Sequence, residues 1–286
     1  MPLAVCATPI GNLADVTLRV LEELAAADTV LCEDTRHTRI LLERHGIKAR
    51  LLSYHQHNEA TRLVDLIPRL EAGERMALVS DAGLPGVNDP GARIIEAAIA
   101  AGVAVTVLPG PSAVETALVA SGLAGEQYRF VGYVPRTEKE RTALWQELLA
   151  WPHPTVAFES PKRLPATLAS LAAADPDRPI AVCRELTKLY EEVVRESAAV
   201  LAERFRVAPK GEVTLVIGPS VRPATDEDAA VAAVVELVAA GAQRRAAAGV
   251  VARLTGAPAT RCTAARSRLP LFVFFRAVFS PACRHN

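Results

Sequence analysis

Over the first 121 residues, short β-rich runs alternate with amphipathic stretches of helical length, and this alternation constrains the fold more than any other feature of the chain. Strands are predicted at Leu3–Ala7, Thr29–Glu33, Arg50–Ser53, Met76–Ser80 and Val103–Leu108. Helices are predicted between and after them, at Leu18–Ala26, Thr38–His45, Glu59–Glu71, Gly91–Ala101 and Ser112–Ser121. Strands spaced by helices of this length form βαβ units and a parallel sheet. Ligands of such sheets bind beyond the carboxyl ends of the strands. The residues that follow each strand therefore carry the functional information.

Four of those five segments are polar loops rich in glycine or proline: Thr8-Pro9-Ile10-Gly11-Asn12, Glu33-Asp34-Thr35-Arg36-His37, Ser80 to Gly91, and Pro109-Gly110-Pro111-Ser112-Ala113. The Ser80–Gly91 segment, with Asp81, Ala82, Gly83 and Val87, is longer than the roughly 2–6 residues usual for a strand-to-helix connection. Small residues there let backbone approach a ligand, and Asp89-Pro90-Gly91 leads into a helix. Pro111-Ser112-Ala113 sets free helix N–H groups at the same sheet edge. The chain has neither the GxGxxG fingerprint nor a GxxxxGK[ST] loop, so a cofactor gripped by its phosphates is not expected. Glu33, Asp34 and Arg36 read either as a substrate-gripping or general-base group or as a helix cap with a solvated arginine. The third loop, with His55, His57, Asn58 and Glu59, has no metal-ligand spacing. It reads as a substrate-facing loop or as a plain Asn58 cap.

From about Gly125 the pattern changes to a second block. Strands are predicted at Arg129–Gly132, Thr155–Phe158, Pro179–Cys183, Tyr190–Glu196 and Glu212–Ile217, and helices at Glu138–Ala150, Arg163–Ala173 and Ser197–Phe205. The stretch Arg184–Glu192 is too short to hold a helix, so this sheet is expected to be mixed. The predicted organisation is an α/β amino-terminal domain over residues 1–124, with a parallel-type sheet flanked by helices. An α+β domain with a mixed sheet follows over 125–220, then a helical tail over 221–286. Thr225-Asp226-Glu227-Asp228 reads as the capped start of a helix in the tail.

Thirty-two basic and 32 acidic residues leave no net charge. Loose binding to naked nucleic acid needs an excess of positive charge, so an RNA partner would have to meet local arginines, with Arg36, Arg39, Arg136 and Arg141 as candidates. No run of 18 uncharged apolar residues occurs, and the first residues lack the basic start of a signal peptide. The five cysteines are scattered without CxxC or a histidine at metal spacing, which points to a reduced, cytoplasmic setting and no metal site.

The segments TPIGNLAD, EDTRHT, HQHNE, SDAGLPGVNDPG, LPGPSA, FESPKRL, CRELTKLYEE and KGE stand in this order across residues 3–218. Together they resemble the small-subunit ribosomal RNA methyltransferase I family of the tetrapyrrole methylase superfamily. The resemblance implies a tetrapyrrole methylase fold and a homodimer that binds S-adenosyl-L-methionine between its two domains. The implied activity is methylation of the ribose 2′-hydroxyl of a decoding-centre cytidine in 16S rRNA of the 30S subunit, without a membrane partner. It implies cofactor contacts from Pro9, Ile10, Gly11, Asp81, Ala82, Gly83, Val87, Ser112, Ala113, Glu159, Leu186 and Thr187. It places Glu33, Arg36, His55, Asn58 and Lys188 on the substrate side, with Asp34 and Glu59 as candidate general bases. The competing readings are a tetrapyrrole or diphthine-type methylase, and a binding module that senses the cofactor without catalysis.

Two departures from the family stand out. Leu84 replaces a more usual threonine, a change expected to be tolerated if backbone does the gripping. After VARLTGAP the family continues close to ANALYR, whereas this chain reads ATRCTA and then a phenylalanine-rich run. Deleting one adenine from GCG-AAC-GCG-CTG-TAC-CGC yields that reading, which predicts a frameshift after Ala259. Resequencing the end of the gene checks it: an unbroken frame encoding these residues refutes the shift.

Overall fold

The computed structural model describes residues 2–220, 227–258 and 260. The expected frameshifted segment beyond 260, and the Thr225-Asp226 part of the tail's cap, lie outside the described residues. The chain divides into two compact units that part between residues 221 and 222.

In the first unit, strands β1 (Leu3–Cys6), β2 (Thr29–Cys32), β3 (Leu51–Ser53), β4 (Met76–Leu78) and β5 (Val105–Leu108) form one sheet in the order β3-β2-β4-β1-β5. Every neighbouring pair is parallel. Helices α1 (Leu18–Ala26), α2 (Thr35–Arg44), α3 (Glu59–Glu71), α4 (Ala92–Ala100) and α5 (Ala113–Ser121) connect or follow the strands. Alternate strand residues face opposite sides of the sheet. Leu3, Val5, Leu31, Met76 and Leu78 accordingly pack on Leu66, Leu70, Ile94 and Ala98 of α3 and α4. Ala4, Cys6, Val30, Cys32 and Ala77 pack on Val20, Leu24, Leu41 and Leu42 of α1 and α2. Both faces are buried, which is why these strands read as unbroken apolar runs.

The second sheet contains β6 (Arg129–Tyr133), β7 (Thr155–Glu159), β8 (Pro179–Arg184), β9 (Glu192–Ser197) and β10 (Val213–Ile217), ordered β6-β7-β10-β8-β9. Only β6 and β7 run parallel, so the sheet is mixed as expected. One face carries Ala157, Val182 and Leu215 against Trp145, Leu148, Leu168, Leu171 and Leu201, from α6 (Glu138–Ala150), α7 (Leu164–Ala174) and α8 (Ala198–Arg204). The opposite face, with Val156, Ala181, Cys183 and Val216, is covered by Val114, Ala117 and Leu118 of α5, joined by Ile10 and Leu186. A helix from the first half thus completes the core of the second, and the two halves share buried apolar surface. Sequence periodicity carries no sign of this, because an amphipathic helix does not reveal which sheet it covers.

In the second unit, α9 (Glu227–Ala239) and α10 (Arg244–Thr255) pack through Ala230, Val234, Ala247, Ala248 and Val251. Small side chains let the helices approach closely. No helix among the described residues is long and apolar enough to cross a membrane.

Candidate functional site

The carboxyl ends of the parallel strands bring several loops together. After β1, Thr8 forms a two-way backbone bridge with Gly83 of the β4 loop: Thr8 N–H donates to the Gly83 carbonyl (2.8 Å) and Gly83 N–H to that of Thr8 (3.0 Å). The Thr8 hydroxyl also donates to the Ser80 carbonyl at 3.0 Å. Gly83 has φ +76°, a conformation that side chains disfavour, and a Cβ there would lie 3.8 Å from Ile10 and 3.9 Å from the Pro111 carbonyl. Three of the expected cofactor loops therefore meet at one glycine. Leu84 turns away from this junction and packs on the sheet core, so its lost hydroxyl leaves the meeting point untouched.

A fourth segment arrives from the second sheet. Gly11 lies so close to the β8–β9 connection that a Cβ would stand 2.9 Å from the Leu186 carbonyl and 2.8 Å from the Thr187 hydroxyl. The Asn12 N–H donates to that hydroxyl at 3.0 Å. Glu185 and Thr187 both have left-handed backbone (φ +51° and +64°), a strain of order 1–3 kcal/mol each that persists only where surroundings enforce it. The enforcing contacts are visible. The Glu185 carboxylate accepts from the Glu212 N–H (2.9 Å) and from Lys188 Nζ (3.1 Å), while Thr187 N–H donates to Glu191. Lys188, expected on the substrate side, instead bridges Glu185 and Glu212 and shares a cavity of about 720 Å³ with Gly11, Asn12 and Thr187.

A separate cavity of about 430 Å³ is lined by Glu33, Asp34, Thr35, Arg36, Ser53, His55, His57 and Asp81. Four of the residues expected at the substrate, Glu33, Asp34, Arg36 and His55, come together here, joined by Asp81. Asp34 caps α2 through the Arg36 N–H and is gripped by the Arg36 guanidinium, which holds its carboxyl well below the usual carboxylate range. The cap starts α2 at Thr35, three residues before its predicted start at Thr38. Asp81 accepts from the Asp34 N–H at 3.1 Å and lies 3.5 Å from His37. Glu33 is raised above the usual range by burial and by the charge of Asp81. Asp89 is not in the cavity lining, yet burial and the charges of Glu33 and Asp81 push it up to about 6.

Asp89 has a consequence for stability. A carboxyl whose folded pKa lies above its ordinary value near 3.8 favours the fold while protonated, and that contribution is lost as pH rises through about 6. Asp89→Asn, which stays neutral, is expected to stabilise the fold at pH 8 by about 1–2 kcal/mol after discounting for partial exposure. Urea unfolding at pH 8 and pH 5 checks this, and the gain should shrink at the lower pH.

Three expected residues play structural parts. Glu59 is buried; its carboxylate accepts from the Gly91 N–H at 3.1 Å and faces Arg93 at 3.8 Å, so it anchors the start of α4. Asn58 accepts from the His55 N–H (2.8 Å) and donates to the Ser53 carbonyl (3.1 Å), bracing the loop that presents His55. The Glu159 side chain is fully buried among Ser160, Arg163 and Thr167. Of the candidate arginines, Arg36, Arg39 and Arg136 are exposed, but Arg141 is buried and paired with Glu138, which removes it from any RNA surface. Ser112 bonds Glu115 instead of capping α5, and Val87 is exposed. The Thr8–Gly83 bridge escaped sequence reading because nothing in either segment encodes the other. Among the described residues no cluster suited to a metal ion occurs.

The two sheets and the loops converging between them define a two-part methylase. Residues 2–202 match the family model of Tetrapyrrole (Corrin/Porphyrin) Methylases. Solved structures share the fold: the methyltransferase CobJ (TM-score 0.59, 18% identity, covering 76% of this chain and 94% of that one) and a Thermus thermophilus uroporphyrin-III-C-methyltransferase (TM-score 0.53, 21%, covering 77% and 94%). Closer in sequence are proteins called ribosomal RNA small subunit methyltransferase I. The one from Mesorhizobium japonicum is 44% identical over 89% of this chain and 87% of its own, and that from Micromonospora olivasterospora is 46% identical over 88% and 82%. That from Thermotoga maritima is 39% identical over 75% of this chain and 97% of its own. The chain belongs to the ribosomal RNA small subunit methyltransferase I family within the tetrapyrrole methylases, and it is a methyltransferase.

Proposed function

We propose that this enzyme transfers a methyl group from S-adenosyl-L-methionine to the ribose 2′-hydroxyl of a decoding-centre cytidine in 16S rRNA, acting on the 30S subunit as a cytoplasmic homodimer. In this reading residues 1–124 and 125–220 act as two domains around the cofactor. The observation that carries the reading is the cavity at the β2, β3 and β4 loops, where Glu33, Asp34 and Asp81 gather with Ser53 and His55. Carboxylates at that density repel a phosphate or a carboxylate-bearing tetrapyrrole, whereas they accept a neutral sugar hydroxyl and stabilise a nearby cation. RNA phosphates would lie at the cavity's rim, on the exposed Arg36, and beyond it on Arg39. Net charge of zero then suits a folded ribosomal particle met through shape.

The methyl donor fits the converging loops. Pro9, Ile10 and Gly11, Ala82 and Gly83, Ser112 and Ala113, and Leu186 and Thr187 offer close backbone, and Lys188 beside them is already paired with Glu185 and Glu212. When bound, the donor supplies a methyl group on a positively charged sulfur. The chain's residues supply alignment, and holding two reactants in near-attack geometry accounts for several orders of magnitude in rate. Glu159 supports this arrangement from within the core.

The test is transfer of tritiated methyl from S-adenosyl-L-methionine to 30S subunits lacking native modification. Label at one decoding-centre cytidine, resistant to alkaline cleavage, is expected. Cofactor binding without any transfer to RNA would favour a tetrapyrrole or diphthine-type substrate, or a sensing module.

A further inference from the structure

The cavity's carboxylates are not equivalent. Asp34 is held by Arg36 and Asp81 by the Asp34 N–H and His37, while Glu59, outside the lining, is buried against Gly91 and Arg93. Glu33 lines the cavity, is partly exposed, and its carboxylate accepts no hydrogen bond among the described residues. It follows β2 directly, so the sheet fixes its backbone while α2 begins only after the Asp34 cap. Beside it, His55 lines the same cavity with its Nδ1 buried and unpartnered.

We infer that Glu33 is the catalytic base, accepting the ribose hydroxyl proton in place of Asp34 or Glu59; this rests on the ribose methylation proposed above. As the ribose oxygen bonds to the methyl carbon, the carbon–sulfur electron pair stays on sulfur. The oxygen–hydrogen bond breaks, and its proton passes to the Glu33 carboxylate. Asp34 is a poor acceptor because the Arg36 guanidinium stabilises its charged form. Glu33 has the opposite surroundings: burial and the negative charges of Asp81 and Asp34 raise its proton affinity, and His55 opposes them in part. Glu33 in turn raises the proton affinity of Asp89. A base with raised proton affinity is the better proton acceptor.

The test compares the full-length enzyme with Glu33→Gln and Glu33→Asp, using single-turnover methyl transfer to unmodified 30S subunits, calorimetric binding of S-adenosyl-L-methionine, and 30S binding. A carboxyl carbon-13 titration of the apoprotein, assigned by the signal missing in Glu33→Gln, gives the Glu33 midpoint independently of activity. Expected is a loss of about 100-fold or more in rate for Glu33→Gln, partial recovery in Glu33→Asp, and both affinities within about threefold of wild type. The acid limb of the wild-type rate profile should follow a carbon-13 midpoint above the ordinary glutamate range. A Glu33→Gln rate within about threefold of wild type overturns the inference. So does an equal loss of 30S binding, which would make Glu33 a gripping group. Failure of the wild-type enzyme itself to label 30S ribose would overturn the functional reading first, and this assignment with it.

Discussion

Replacing Glu159 by alanine is expected to destabilise the first unit by about 3–5 kcal/mol, the range for removing one member of a buried charged pair. The carboxylate ends β7, where Glu159 pairs with Val213 of β10, and its side chain has no exposed surface. It accepts from the Ser160 N–H (2.6 Å) and the Thr167 hydroxyl (2.5 Å) and pairs with Arg163 (2.5 Å). Alanine would leave those donors without their acceptor and Arg163 without its counter-charge. Glu159→Gln keeps the shape and one acceptor oxygen, so its loss should be markedly smaller. Urea denaturation of both variants measures the difference. If Glu159→Ala unfolds within about 1 kcal/mol of wild type, the buried network does not support the fold as described.

The second large effect is expected at Gly11. Its φ is not left-handed, so alanine meets no backbone penalty and the result is purely steric. An added Cβ would stand 2.5 Å from Lys188 Cγ, 2.8 Å from the Thr187 hydroxyl and 2.9 Å from the Leu186 carbonyl. The lysine stem can swing aside. Leu186 and Thr187 cannot, because Thr187 is held in left-handed backbone by its bond to Glu191 and its neighbour Glu185 by Glu212 and Lys188. The β1 loop must then withdraw from the second sheet, separating two of the loops proposed to hold the methyl donor. Gly11→Ala is expected to weaken S-adenosyl-L-methionine binding about 10–100-fold, or roughly 1.4–2.8 kcal/mol. Calorimetry provides the measurement. Gly249→Ala is a suitable control: its Cβ meets nothing within 4 Å in α10, and it should leave binding unchanged.

Much of this organisation is legible in the sequence. Both faces of the first sheet are buried, so β1, β2 and β4 read as apolar runs, and the polar loops after them mark the functional edge. The Arg184–Glu192 stretch, too short for a helix, implies a mixed sheet, and the antiparallel β8–β9 pair is part of one. Asp34 illustrates the limit of such reading. Its capping role was available as an alternative, yet only the structure shows Arg36 folding back on the same carboxylate. Glu59 and Arg141 show it too, since charged residues at helix starts usually face water, and here both are buried.

The sequence by itself determined the alternation of elements, the parallel character of the first sheet, the family, and the polar loops at the carboxyl ends of its strands. These are local or pattern-borne properties, set by side-chain periodicity, turn chemistry and motif order. Tertiary structure alone decided that α5 closes the second sheet, that Thr8 is bridged to Gly83, that Gly11 abuts Thr187, and that Glu33 is left unbonded while the carboxylates around it are engaged. The reason is physical: each of these depends on contacts between segments up to 175 residues apart in the chain, and no residue's own propensity encodes the partner that packing brings to it.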